Sequence, residues 1–230
     1  MHSRLDWKDS LAKLLEGNAR FRLGLRSVES FASTLRLQEF AEKGQNPSAI
    51  ILTCSDSRVP TEILFDKGVG DLFVIRVAGN VISRSIIASI EYAAMALKTP
   101  LCVVMGHTQC GAVKAAISAA RSEANADTPN IGRLLEKLTP AVLDAQRVHS
   151  DANLETLWQA AVLMNVRRQV TMIQQQSTAL QPMTRQGEFR IIGALYNLHD
   201  GEVIFDIDEE SKPIINIPLQ PVAAKKWNTL

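Results

Sequence analysis

Residues 49–58, AIILTCSDSR, constrain this chain more than any other stretch. Four apolar residues run without a break between Pro47 and Thr53, which suits a strand covered on both faces of a parallel sheet. The run stops at a reactive cluster: Cys54 offers a thiolate, Asp56 a carboxylate and Arg58 a guanidinium. Spaced two apart, their side chains can converge on one small space. A second run of the same kind, LCVVMGHTQCG at 101–111, ends in His107 and Cys110. The two strand ends together supply two thiols and an imidazole.

At 230 residues and 46% apolar content the chain is long enough for one sizeable core. Lys and Arg total 25 against 24 for Asp and Glu, a net charge of +1, which gives no bulk electrostatic reason to bind nucleic acid or an anionic membrane. The first ten residues lack the apolar core of a signal peptide. No uncharged apolar run approaches the roughly 18 residues of a spanning helix. The expectation is a soluble protein, cytoplasmic by default, with no nucleic-acid or membrane partner. Three cysteines do not suggest a disulfide framework; metal binding or free thiols fit better.

In chain order, helical spacing of apolar residues predicts amphipathic helices over 7–22 and 31–43, the latter stopped by Gly44. Val59-Pro60 leads into a short helix that Gly68 and Gly70 end. LFVIRV, 72–77, is the next buried strand. Residues 82–97 form a helix apolar on nearly every side, expected to lie under the sheet and against another helix or subunit. After the strand at 101–105, an alanine-rich helix runs from Gly111 to about 124. Asp127-Thr128-Pro129 opens a helix over 131–148, and another covers 154–176; neither holds an obvious motif. Strands at 190–196 and 203–207 flank Asp200-Gly201, a hairpin signal. The tail beyond Pro218 is expected to pack loosely.

Strands separated by helices imply right-handed crossovers. The predicted fold is α/β: a mainly parallel β-sheet of four strands plus an antiparallel edge strand, flanked by helices. The whole chain, 1–230, reads as a single domain, with an N-terminal helical arm at about 5–44 and the α/β core at about 48–210. Ligands of such sheets bind outside the carboxyl ends of the strands, where the winding reverses. If the first and third strands are neighbours, Cys54 and His107 emerge side by side there.

Zinc takes thiolate and imidazole donors in a tetrahedron, and three protein ligands with one open position mark a catalytic site. Cys54, His107 and Cys110 fit that count. Gly106 and Gly111 are expected to relieve crowding around the turn. On spacing alone, small buried cysteines and a hydrogen-bonded histidine are the plainer reading of the pattern.

CSDSR followed about fifty residues later by GHTQCG resembles the two signature blocks of the beta class of carbonic anhydrases. LLEGNARF, GQNP, DLFVIRVAGN, SIEYA and IIGALYNLHDGEV are similar to segments of that family in compatible order, so the likeness runs from about residue 11 to 207. The resemblance implies a lyase that reversibly hydrates carbon dioxide to bicarbonate and a proton on Zn2+ held by Cys54, His107 and Cys110. Asp56 would accept a hydrogen bond from the zinc-bound hydroxide, and Arg58 would keep Asp56 ionised and oriented. Gln45 matches a family glutamine that approaches the pocket, often from the neighbouring subunit. Gly111 could offer its backbone N–H to substrate. A homodimer or dimer-based tetramer is implied as well.

Other residues carry plainer expectations. Cys102 reads as a small core residue, His149 and His199 as solvated, Arg76 and Tyr196 as structural, and Arg167-Arg168 as a solvated helix face. The chain departs from the family pattern at VISRSIIAS after Asn80, where an acidic or proline-bearing turn is usual. It departs again at Ile51, where a bicarbonate-switched subgroup has tryptophan. Two other functions remain compatible with these residues: a carbonyl sulfide or carbon disulfide hydrolase, and a zinc-bearing assembly protein with a vestigial site, against which Asp56 and Arg58 argue.

Overall fold

The computed structural model describes residues 6–25, 34–122, 126 and 128–206. Its elements are α1 (Trp7–Arg22), α2 (Thr34–Lys43), β1 (Ala49–Thr53), α3 (Thr61–Leu64), β2 (Leu72–Arg76), a 3₁₀ turn (Ala78–Asn80), α4 (Arg84–Met95), β3 (Leu101–His107), α5 (Gly111–Ala120), α6 (Pro129–Val148), α7 (Leu154–Gln176), α8 (Leu180–Arg185), β4 (Arg190–Tyr196) and β5 (Val203–Asp206). Strand order is β2-β1-β3-β4-β5, the first four parallel and β5 antiparallel to β4. This is the expected sheet. Residues 31–33, 123–125, 127 and the tail from 207 onward lie outside the described residues, so the predicted ends of three elements and the packing of the tail do too.

Side chains alternate across a strand, so the apolar run of β1 serves two cores at once. Ala49 and Ile51 join Leu101, Val103 and Met105 of β3 beneath Leu14 of α1 and Leu64 of α3. Ile50 and Leu52 face the other way with Cys102 and Val104, against Ile87, Ile90 and Ala94 of α4 and Val166 and Ile173 of α7. A third cluster, built from α5, α6 and α7, includes Val113, Ile117, Leu138, Val142 and Ala161, and it encloses Cys54 and Cys110. Each fully buried Leu or Ile contributes about 1.5–3 kcal/mol, so these three clusters outweigh the surface ion pairs.

Helix α1 starts at a reciprocal cap: the Asp6 carboxylate accepts from the Asp9 amide at 2.8 Å, and the Asp9 carboxylate accepts from the Asp6 amide at 3.5 Å. Its Gly17 lies against the α3 region so closely that a Cβ would stand 1.9 Å from the Phe65 carbonyl oxygen. Beside it, buried Asn18 donates to the carbonyls of Leu64 and Gly201 at 3.1 and 2.9 Å. Arg20 Nε reaches Asp66 at 2.6 Å.

Several elements differ from expectation. Helix α8 was not anticipated; at six residues it is too short for a periodic signal. Strand β3 runs two residues further than predicted, so His107 is its last residue and not part of a loop. Arg167 is not simply solvated: its guanidinium pairs with the largely buried Asp206 carboxylate at 2.9 and 3.3 Å. Gly106 relieves crowding of another kind, since a Cβ there would come 2.7 Å from Val166 of α7.

Candidate metal centre

The chain leaves β1 for β2 on one side and reaches β3 on the other, so the winding reverses between β1 and β3. Thr53 and Met105 are paired in that ladder, and the Thr53 hydroxyl donates to the Met105 carbonyl at 3.1 Å. Cys54 follows immediately, and His107 closes β3 two residues on. After His107 the chain turns sharply through Gln109, whose φ of 56° is uncommon for a residue with a side chain. That turn places Cys110 back over the strand ends as the residue preceding α5.

The two sulfurs lie 4.0 Å apart, and the donor atoms of Cys54, His107 and Cys110 all fall within 4.8 Å of one another. Two thiolates about 2.3 Å from one tetrahedral zinc stand about 3.8 Å apart, so the spacing suits that ion. His107 decides the matter. Its Nδ1 lies 2.9 Å from the Thr108 carbonyl, which can only accept, so Nδ1 carries the proton and Nε2 presents a bare lone pair. That Nε2 is fully buried and has no hydrogen-bond partner among the described residues. An orphaned acceptor within 4.8 Å of two sulfurs fits a thiophilic cation.

The thiols share their protons unequally without metal. Hydrogen bonding, first from Cys110 and then from the amides of Gly79 and Asp56, draws the Cys54 pKa down against the opposing effect of burial. Cys110 is pushed up, first by its bond to Cys54 and then by burial.

Asp56 borders this cluster, its Oδ2 being 3.8 Å from His107 Nε2. Arg58 grips it twice, Nε to Oδ1 at 3.0 Å and Nη2 to Oδ2 at 2.8 Å, and the Arg58 amide adds a bond to Oδ1 at 2.9 Å. These Arg58 contacts hold the Asp56 carboxyl well below the usual range, so it is ionised throughout the physiological span. Arg58 also donates to the Gln109 carbonyl at 3.3 Å, joining both signature turns. From β2, Arg76 donates to the carbonyls of Asp56 and Cys54 at 2.6 and 3.3 Å. It is structural, as expected, but it acts directly on the loop between the ligand and the carboxylate.

The sequence model of a family described as carbonic anhydrase matches residues 49–203, which contain every residue of this centre. A carbonic anhydrase of Mycolicibacterium smegmatis is 38% identical over 195 residues, covering 83% of this chain and 88% of that protein.

This chain belongs to the carbonic anhydrase family. Among solved structures, the beta-carbonic anhydrase CcaA superposes with a TM-score of 0.69 at 28% identity, covering 88% of this chain and 98% of that one. The beta-carbonic anhydrase CafA of Aspergillus fumigatus gives 0.66 at 25%, covering 89% and 93%. These neighbours put the chain in the beta class of the family.

Not every candidate residue joins the carbonic anhydrase centre. Gln45 is exposed ahead of β1, at the opposite end of that strand from Cys54. Five strand residues at roughly 3.3 Å each set about 17 Å between those ends. Gly111 opens α5 beside Cys110, and a Cβ there would meet nothing within 4 Å, so it relieves no crowding within the chain. Sequence reading missed two contributors: the Gly79 N–H, which donates to Cys54 Sγ at 3.3 Å, and Trp158 of α7, whose indole donates to the Cys110 carbonyl at 2.9 Å. The Ala-Gly-Asn turn was a weak signal for the first. Nothing local pointed to the second.

Proposed function

We propose that the protein catalyses the reversible hydration of carbon dioxide to bicarbonate and a proton, with Cys54, His107 and Cys110 holding Zn2+. The orphaned His107 Nε2, enclosed with two sulfurs beside an ionised carboxylate, is the observation that carries this reading. Zinc supplies a water of lowered pKa, and so a hydroxide nucleophile near neutral pH. The rest falls to the chain. Asp56, ionised and pinned by Arg58, can only accept hydrogen bonds; it would accept one from the attacking oxygen and leave that oxygen a lone pair free for carbon. Arg58 fixes the direction of that acceptance through its two-point grip. Val81, Val113, Leu138 and Leu195 belong to the same buried apolar cluster as the two sulfurs, surroundings that suit an uncharged linear substrate.

The remaining assignments belong to the same proposal. Gln45 lies too far along β1 to serve its own centre, which supports a role in the pocket of a second copy, in a homodimer or a tetramer of dimers. The exposed Tyr92 and Met95 on α4 give such a dimer apolar surface to cover. The Gly111 N–H, in the first turn of α5, would serve substrate oxygen. Free Cys54, Cys102 and Cys110 suit a reducing compartment, the cytoplasm. No helix among the described residues is long and apolar enough to cross a membrane.

Stopped-flow carbon dioxide hydration on protein of known metal content tests the reading, with carbonyl sulfide run in parallel. One zinc per chain and fast hydration are expected. Turnover of carbonyl sulfide alone would move the assignment to the hydrolase. Cys110→Ser is expected to lose most of its zinc, and a full equivalent in that variant would remove Cys110 from the ligand set.

A further inference from the structure

Helix α7 buries two amide side chains that the proposed chemistry does not use. Asn165 and Gln169, each 1% exposed, lie one turn apart on a face otherwise made of Leu157, Ala161, Val162 and Ile173. Amides are buried only where their hydrogen bonds are met, because an unmet one costs more than an apolar residue in its place. Here they are met in one direction. Gln169 Nε2 donates to Asn165 Oδ1 at 2.9 Å, which commits Asn165 Nδ2 to donate elsewhere; it donates to the Gly79 carbonyl at 2.9 Å. At the other end, Gln169 Oε1 accepts the Ile82 amide at 2.9 Å.

The two amides thus hold both ends of the stretch 79–82. Its other ties are few: the Asn80 N–H donates to the Val77 carbonyl at 3.0 Å, and Lys137 donates to the Ile82 carbonyl at 3.0 Å. Gly79 and Asn80 are consecutive left-handed residues, with φ of 66° and 45°, and the 3₁₀ turn that contains them has no side-chain cap. A Cβ at Gly79 would come 3.1 Å from Leu138. What the conformation achieves is to aim the Gly79 N–H at Cys54 Sγ. An N–H bond to a ligating thiolate fixes the sulfur's direction and draws off part of its charge, which leaves the metal more electron-poor.

We propose that Asn165 and Gln169 are positioning residues of the metal centre, clamping the turn 79–82 so that the Gly79 N–H stays on Cys54 and sets how tightly, and with how much charge, that thiolate holds zinc. The inference rests on the metal-centre reading above.

The test uses zinc release to a chelator and the thiolate-to-cobalt charge-transfer band of the Co2+-substituted protein. Asn165→Leu and Gln169→Met, close in volume to the residues replaced, are expected to release zinc about 10- to 100-fold faster and to move the band to longer wavelength. Asn18→Ala, which loosens the fold from the opposite face of the sheet, is expected to leave both at wild-type values. Folded Asn165→Leu and Gln169→Met with wild-type release and spectrum would overturn the proposal, whatever their melting temperatures. Should neither fold, wild-type protein loaded with 113Cd decides: scalar coupling between the metal and the Gly79 amide proton is expected, and its absence overturns the proposal. A wild-type protein that takes up no metal would instead refute the metal-centre reading, and this inference with it.

Discussion

Asn18 accepts the Val203 amide on its Oδ1 at 2.9 Å, across 185 residues of sequence. With its two donated bonds it ties α1 to the end of α3, to the β4–β5 turn and to the edge strand. Asn18→Ala leaves those backbone groups buried without partners. The expected loss is about 2–4 kcal/mol, a fall in Tm of roughly 5–15 °C, measured by thermal unfolding with zinc content unchanged. A shift within about 1 °C would show that water replaces the side chain.

Asp56→Asn is expected to keep its zinc and lose most of its turnover. The amide cannot make the two-point ionic contact with Arg58, and it presents a donor where the attacking oxygen needs an acceptor. A loss of about 10- to 1000-fold in kcat/KM is expected. Near-native turnover in stopped-flow assays would mean that the pair only shapes the loop.

Ile51 bears on regulation. It is fully buried in the cluster that also contains Tyr196, with Val59 and Leu64, and it brings no donor to a bound anion. An anion held there would lack a hydrogen bond, at about 1–3 kcal/mol, which weakens binding roughly 5- to 150-fold. Bicarbonate is therefore expected to inhibit without cooperativity, with Asp56 remaining on Arg58 near pH 7. A sigmoidal inhibition curve would contradict this.

Cys102 provides a test by pH. Burial pushes its thiol up to about 12 from an ordinary 9, so it stays protonated in the folded protein at pH 8. Alkylation followed by peptide mass spectrometry is expected to leave it unmodified until denaturant is added. The sign for stability follows: with the folded value above the unfolded one, the stabilising contribution is complete below about pH 9 and declines as pH rises towards 12. Rapid labelling of Cys102 in native protein would place it outside a dry core.

The strands and the three metal donors were legible because their signals are local: an unbroken apolar run, a change of residue type at its end, a His-x-x-Cys turn. What escaped reading depends on partners far along the chain. Arg167 looks like any solvated arginine until β5 brings Asp206 beside it. Asn165 and Gln169 look like the polar side of a helix until the 3₁₀ turn is found against them. The left-handed Gln109 had no marker either, since such turns usually announce themselves by glycine or asparagine.

Because β1 and β3 are neighbours in space while Cys54 and Cys110 are 56 residues apart in sequence, a bound zinc closes a long loop of chain. A cross-link of that span restricts the unfolded chain by roughly 4 kcal/mol on the chain-entropy argument. A polypeptide still emerging from the ribosome carries one of the three donors when β1 appears, gains the other two with the turn after β3, and has Asn165 and Gln169 only once α7 has followed. Zinc captured at that point withdraws finished molecules from the folding equilibrium. Protein stripped of metal is therefore expected to unfold more easily than protein loaded with it.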